Sequence, residues 1–301
     1  MRSRTILLVG ALLAGTASPG HAQSVGKMLE YDIRNGVVDM VAVWATPFRG
    51  SGRDWLATAG YLAAGAAISP FDDDIDRWFV RHQDASAWSV LKELRQGGVA
   101  FSGKTITPVV GGLYVIGLAT KSEAIRDGVW GCASSWASSS VVRNYVLYQA
   151  IGRVRPDSSK THPNGYVAPP AEQGDQYEFD AFPGGGKSKW GVHSFPGGHV
   201  ANIAACAGFL GKRFDNKYVE PIALLLTAGV GVGRMVDRRH WASDTFLGII
   251  YGYAIGREVG RRSLHRRQEQ ASQSASATSP SEGFYIAPGG RGVTIGMQWT
   301  F

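Results

Sequence analysis

Six apolar stretches separated by polar loops set the strongest limit on how this chain folds: residues 55–68, 106–120, 130–151, 200–210, 221–232 and 245–259. Alanine, leucine and glycine dominate them, and alternating β-branched runs are few, so helix is the expected state. None holds the roughly 18 uninterrupted apolar residues of a clear membrane span. A buried bundle helix and a short membrane helix therefore read alike here. Arg143 and Asn144 interrupt the third stretch, which puts it inside the protein or beside a site. At 301 residues, 44% hydrophobic and 18% charged, the chain can bury a substantial core as one large domain or two small ones.

The ends have other characters. Arg2 and Arg4 precede the apolar run 6–14, and small residues lead to Ala22. That is the layout of a secretory signal over 1–22, so the chain is expected to be exported to the periplasm or cell envelope. A retained anchor is the alternative, but the run is short for a span of about 20 residues. Residues 23–48 read as a mixed N-terminal segment, 49–267 as the helical domain and 268–282, rich in Ser, Ala and Gln, as a flexible linker. In 292–301, Val293, Ile295, Met297, Trp299 and Phe301 alternate with polar or small residues, a half-buried strand pattern. With 284–286 and the turn 288–290 it predicts a short β-hairpin over 283–301, docked on its own domain or on a partner such as an outer-membrane protein.

Charge and cysteines narrow the partners. The net charge of +7 falls to +5 when the leader takes Arg2 and Arg4 with it. Export removes the chain from nucleic acid, so no nucleic-acid partner is expected. Arg257, Arg261, Arg262, Arg266 and Arg267 follow an apolar helix, as a site for an anionic membrane surface or as a solvated tail. Cys132 and Cys206 could pair in an oxidising compartment. Both lie in apolar helical stretches, which favours buried thiols.

Three segments carry the candidate chemistry: Gly152-Arg153-Val154-Arg155-Pro156, Ser194-Phe195-Pro196-Gly197-Gly198-His199, and the run from Gly233 and Arg234 through His240 to Asp244. A histidine four residues before an aspartate at a helix start puts the carboxylate near the ring. Such a carboxylate fixes the tautomer and makes the other ring nitrogen the better nucleophile. Arg234 can bring a planar, permanently charged fork to an oxyanion. Gly197 and Gly198 before a helix leave backbone N–H groups open to an anion, with His199 at that mouth as a proton donor. Arg153 and Arg155, beside an apolar stretch, need an anion or solvent. Each segment alone also has a plain reading, as a structural histidine, a capped turn or a surface arginine pair.

Taken in this order, the segments resemble the type 2 phosphatidic acid phosphatase family, whose site is shared with vanadium haloperoxidases. The family pattern is Lys-x6-Arg-Pro, Pro-Ser-Gly-His, and Ser-Arg-x5-His-x3-Asp. Arg155-Pro156, Pro196, Gly198-His199, Arg234, His240 and Asp244 match it, and the likeness runs over about residues 55–262. The resemblance implies an all-α, compact helical bundle with the site at the helix ends. It implies His240 as a nucleophile forming phosphohistidine, Asp244 orienting it, and His199 protonating the leaving group. Arg155, Arg234 and the Gly198 N–H, with Gly197 beside it, would hold the phosphate. No metal or cofactor is implied, and vanadate is expected to inhibit. The implied substrate is a phosphorylated lipid, phosphatidate or isoprenyl diphosphate, or a small phosphoester.

Three positions depart from the pattern. Tyr148 stands where the family has lysine, and Gly197 and Gly233 stand where it has serine. An ammonium and a hydroxyl that would touch phosphate are missing, each loss typically costing about 1.5–3 kcal/mol. Arg153, Arg143, Lys187 or Lys189 could supply the charge. The alternatives are a vanadate-dependent haloperoxidase and a catalytically weak envelope scaffold. Asp72, Asp73, Asp74 and Asp76 read as a helix-capping loop ahead of a cation site. Trp88, Trp130, Trp136, Trp190 and Trp241 mark either a lipid interface or a core.

Overall fold

The computed structural model describes residues 24–82, 86, 106–157, 174–182, 193–214, 217–278, 283–289 and 292–298. The expected leader, Trp88, Lys187, Lys189 and Trp190 lie outside the described residues. All six predicted stretches are helices, and among the described residues two more appear where none was expected. In chain order they are α1 (Val25–Ala45), α2 (Gly52–Ile68), α3 (Asp72–Arg81), α4 (Ile106–Ala119), α5 (Glu123–Val142), α6 (Gly198–Phe214), α7 (Val219–Val236) and α8 (Ala242–Thr278). The expected helical bundle is what forms.

Local chemistry sets the ends. Ser24 and Ser122 cap α1 and α5 through their hydroxyls. Ser51 and Asp54 form a reciprocal capping box on α2. After α5 the chain passes through a π-helical turn, Arg143–Leu147, into a last turn, Tyr148–Ile151, which stops at Gly152 with φ of 56°. A side chain at Gly152 would also strike the Asp180 carbonyl, its Cβ lying 1.8 Å from that oxygen.

Helix α6 is the centre of the bundle. Val200, Ala201, Ala204, Ala205 and Phe209 are wholly buried, as expected for a helix apolar on every side. Its small residues let α8 approach: a Cβ on Gly252 or Gly256 would sit 2.0 or 1.8 Å from the Ala201 or Ala205 carbonyl oxygen. Phe209 packs with Val43, Ile255 and Val259. Cys132 of α5 and Cys206 of α6 form a disulfide, with Cα atoms 4.4 Å apart. This corrects the expectation of buried thiols: two helices held that close by small side chains bring the sulfurs face to face.

Buried ion pairs tie the outer helices to this centre. Arg126 holds Asp32 at 3.0 Å, Arg213 holds Asp127, and Arg262 holds Asp39 at 2.8 Å. Arg257 and Arg261 pair with Glu220 and Glu258. Three members of the basic cluster assigned to a membrane surface or tail therefore have carboxylate partners within the protein.

The apolar surface is turned outward on several helices. Among its residues α2 buries only Gly65, and leaves Leu56 74% exposed. Val109, Val115 and Ile116 of α4 and Ile222, Leu225 and Leu226 of α7 are exposed as well. Trp241 is buried and Trp130 packs on Tyr114 with ring centroids 5.6 Å apart, whereas Trp136 is partly exposed.

The chain divides into two units, one ending at Ser263 and the other Leu264–Phe301. In the second, α8 continues to Thr278 through residues read as linker. Ala, Gln, Glu and Arg there are good helix formers, and His265 and Glu269 pair at i,i+4. Strands β1 (Gly283–Gly289) and β2 (Gly292–Gln298) pair antiparallel from Gly283↔Gln298 to Gly289↔Gly292.

Candidate active site

Backbone bonds draw the three segments together. The Ser194 N–H donates to the Arg153 carbonyl at 3.0 Å, and the Gly197 N–H to that of Asp244 at 3.0 Å. The indole N–H of Trp241 donates to the Val154 carbonyl at 2.7 Å, and the Asp157 N–H to that of Arg238 at 3.1 Å. Arg238, in the left-handed region with φ of 57°, reaches Asp76 of α3 at 2.8 Å. A residue forced into that region ends α7 and swings His240 toward the other two loops.

His240 is buried, and its Nδ1 lies 2.7 Å from the Ser194 carbonyl oxygen. A carbonyl only accepts, so Nδ1 carries the proton and Nε2 is left with its lone pair. Burial, then Arg155, Arg234 and His199, hold the ring well below the usual histidine range, so it is neutral. His199 is the second residue of α6. Burial and the guanidiniums of Arg234, Arg155, Arg143 and Arg239 push it down to about 3. The site thus presents two uncharged imidazoles in a positive field.

Asp244 differs from expectation. Its carboxylate accepts from Ser194 Oγ, from Arg153 at 2.7 Å and from the Trp241 N–H at 3.1 Å; none of these partners is His240. The i,i+4 argument assumes both residues lie on one helix, but α8 begins at Ala242 and His240 precedes it. Asp244 sits in the first turn and caps that terminus by reaching back to Trp241. The histidine is steered through Ser194, which offers its carbonyl to the ring and its hydroxyl to the acid. Sequence reasoning missed this residue. Its place five residues before His199, next to Phe195-Pro196, was the only cue.

The arginines separate into two kinds. Arg153 is spent within the protein: it binds Asp244 at 2.7 Å, Asp72 at 2.8 Å, Ser243 at 2.7 Å and the Gln176 carbonyl. The neighbouring carboxylates of Asp244 and Asp72 outweigh burial and hold it above the usual arginine value. It is a buttress, and not the auxiliary phosphate ligand expected of it. Asp72 also accepts from the Ser243 N–H at 2.9 Å, so the acidic run opens α3 and fastens it to α8.

Arg155 is the other kind. Buried, among the described residues it donates only to the His193 carbonyl, at 3.1 and 3.3 Å, and burial drives it down to about 10. Arg234, also buried, has Asp237 at 3.8 Å. Tyr148 is buried, donates to the Pro196 carbonyl at 3.2 Å and stacks on His193 at 4.5 Å. It holds the second loop where the family lysine would reach for phosphate. Gly198 opens α6, whose first N–H groups have no partner within the helix. A Cβ on it would lie 2.6 Å from Tyr148 Oη, so no larger residue fits.

A helical domain with two uncharged histidines set among arginines is what these residues define. Residues 128–266 match the model of the PAP2 superfamily, and that stretch contains all three motifs. The resemblance read from the motifs thus holds over the segment that carries them. A lipid A 1-phosphatase of Porphyromonas gingivalis is 31% identical over 71 residues, which cover 23% of this chain and 16% of the relative. This chain thus matches about one-sixth of that relative's length. A solved structure, the first transmembrane PAP2 type phosphatidylglycerolphosphate phosphatase from Bacillus subtilis, gives a TM-score of 0.41 at 19% identity, covering 70% of this chain and 94% of that one.

Proposed function

We propose that this protein is an exported phosphoric ester hydrolase that removes phosphate from a phosphorylated lipid through a phosphohistidine on His240. One observation carries the reading: Arg155 and Arg143 are both buried, and among the described residues donate only to neutral acceptors, beside two imidazoles kept uncharged. A buried guanidinium without a carboxylate is costly. An arriving phosphate removes that cost, and a neutral imidazole beneath it is a competent nucleophile.

In the first step the Nε2 lone pair of His240 attacks phosphorus. The P–N bond forms, the bond to the leaving oxygen breaks, and that oxygen takes a proton from His199. Arg155, Arg234 and the N–H groups at the start of α6 hold the three phosphoryl oxygens as their charge shifts. In the second step His199 accepts a proton from water, whose oxygen attacks phosphorus and frees inorganic phosphate and His240. Alone in the site, His199 is neutral. The negative phosphate opposes the arginine field and raises its affinity for a proton, so the acid is made by substrate binding.

The outward apolar faces of α2, α4 and α7 support a lipid substrate. Helix α7, with mean hydropathy of 1.5, is among the described residues the one long and apolar enough to cross a membrane. The disulfide supports an oxidising compartment. The test is phosphate release from phosphatidate, an isoprenyl diphosphate and a soluble phosphomonoester, with and without vanadate. Vanadate-sensitive turnover of the lipids, lost in His240→Ala and His199→Ala, is expected. Undiminished turnover in both variants, or bromide oxidation switched on by vanadate and peroxide, would overturn the reading.

A further inference from the structure

The site lacks its lysine, yet a cation stands one helical turn earlier. Arg143 opens the π-helical turn that ends at Leu147, and the Tyr148 N–H donates to the Arg143 carbonyl across five residues. In an α-helix, residues five apart point away from each other. The wider i→i+5 winding returns them to one face, and such turns recur at functional sites. The consequence is visible: the Arg143 guanidinium lies over the Tyr148 ring, 5.6 Å from its centroid. It also reaches the mouth of α6. A Cβ on Gly198 would lie 3.1 Å from Arg143 Nε and 3.2 Å from its Cζ, so the guanidinium rests against the residue whose N–H begins the anion-binding turn.

Its partners point the same way. Arg143 is 6% exposed and donates to the Gly198 carbonyl at 2.9 Å, Asn202 Oδ1 at 2.8 Å, Asn144 Oδ1 at 3.3 Å and Ser140 Oγ at 3.4 Å. Each acceptor is neutral. The buried Arg126, Arg153 and Arg213 each hold a carboxylate instead. Asn202 and Ser140 therefore orient a cation that no carboxylate among the described residues pairs with, and the charge lowers the proton affinity of His199. Resting on the phosphatase reading, we infer that Arg143 is a phosphate-binding residue that replaces the missing lysine. The π-turn delivers it to the space that a lysine at 148 would otherwise fill, and Tyr148 is its platform.

The test is a charge swap, with each variant's melting temperature checked. Arg143→Gln is expected to lower kcat/KM for the best lipid phosphate and vanadate affinity by about 10- to 150-fold, the loss of one charged hydrogen bond. Arg143→Lys keeps the charge and is expected to stay within about tenfold of wild type. Arg143→Gln/Tyr148→Lys, with the cation moved to the family position, is expected to regain at least a tenth of wild-type activity. A purely structural arginine would not be rescued by a lysine five residues away. Arg143→Gln turning over within twofold of wild type overturns the proposal alone. So does a folded Arg143→Lys protein that no longer binds vanadate. A wild type that neither releases phosphate nor binds vanadate overturns the phosphatase reading and this proposal together.

Discussion

Arg153 and Arg155 are two residues apart and both buried, yet methionine should act on them in opposite directions. Arg155 falls from the ordinary arginine value to about 10 because burial disfavours its charge. At about 1.36 kcal/mol per unit, that difference is roughly 3 kcal/mol held against the native state. Below the folded value, and so at neutral pH, the whole penalty is present; it fades only as pH climbs past 10 toward the unfolded value. Arg155→Met removes the charge, keeps most of the stem packing and gives up two bonds to the His193 carbonyl. The net expectation is a gain of about 1–3 kcal/mol, or roughly 2–4 °C in Tm for each kcal/mol. Activity should collapse alongside, the trade expected where a binding site is held at the expense of stability. Arg153→Met instead strips the partner from Asp72 and Asp244, and breaking such buried pairs costs about 3–5 kcal/mol. Thermal unfolding of the two variants at pH 7, with and without vanadate, is the assay. Vanadate should raise the Tm of wild type and not of Arg155→Met. If both variants lose stability alike, the idea of a deliberately uncompensated Arg155 is wrong.

Four further outcomes follow from the geometry. Because His199 is neutral in the free site, its catalytic proton must enter with the phosphate monoanion, whose further ionisation lies near pH 6. The value of kcat/KM should therefore fall about tenfold per pH unit above neutrality, and a flat profile to pH 9 would contradict this. Both histidines have folded values below their unfolded ones, so the stability they contribute is present above about pH 6.5 and lost as pH falls toward the folded values. His199 alone should cost about 2 kcal/mol between pH 7 and 5. Asp244, raised by burial, acts in the opposite sense, so the histidine part is read as the difference between wild type and His199→Asn/His240→Asn; identical pH–Tm curves would dispose of it. Ser194→Ala removes a donor to a buried carboxylate and should cost about 1.5–3 kcal/mol together with a drop in kcat. Unchanged stability and turnover would deny Ser194 its positioning role. Reducing the Cys132–Cys206 bond reopens a 74-residue loop and should lower stability by about 4 kcal/mol; an unshifted Tm would mean the bond is absent in solution.

Much of the bundle was legible because most of its helices are apolar runs, and the three loops because their residue types are rare together. Helix α1 was not, for an instructive reason. Its buried positions, Met28, Asp32, Gly36, Asp39 and Val43, recur at helical spacing, but two of them are acids that meet Arg126 and Arg262. Its valines and isoleucine, Val37, Val38, Val41 and Ile33, face outward. A pattern rule that seeks apolar residues inside fails on a helix whose inside is ionic. Helix α3 was hidden likewise, since Asp72 and Asp76 are satisfied by arginines far along the chain. In the site, residue types were readable and their pairings were not. Asp244 was placed against His240 by spacing and by the family pattern, because the sequence does not say that α8 starts after the histidine. Arg143 was one of four candidates for the missing charge, and the π-turn gives it a direction.

The central claim is that an uncharged His240, its Nδ1 tied to Ser194, takes the phosphoryl group on Nε2. Brief mixing with a phosphorus-labelled lipid phosphate, an alkaline quench and peptide mapping tests it directly. The account predicts label on His240, stable in alkali and lost in acid, accumulating in His199→Ala and absent from His240→Ala. Acid-stable label, or label on any other side chain that survives His240→Ala, would contradict it.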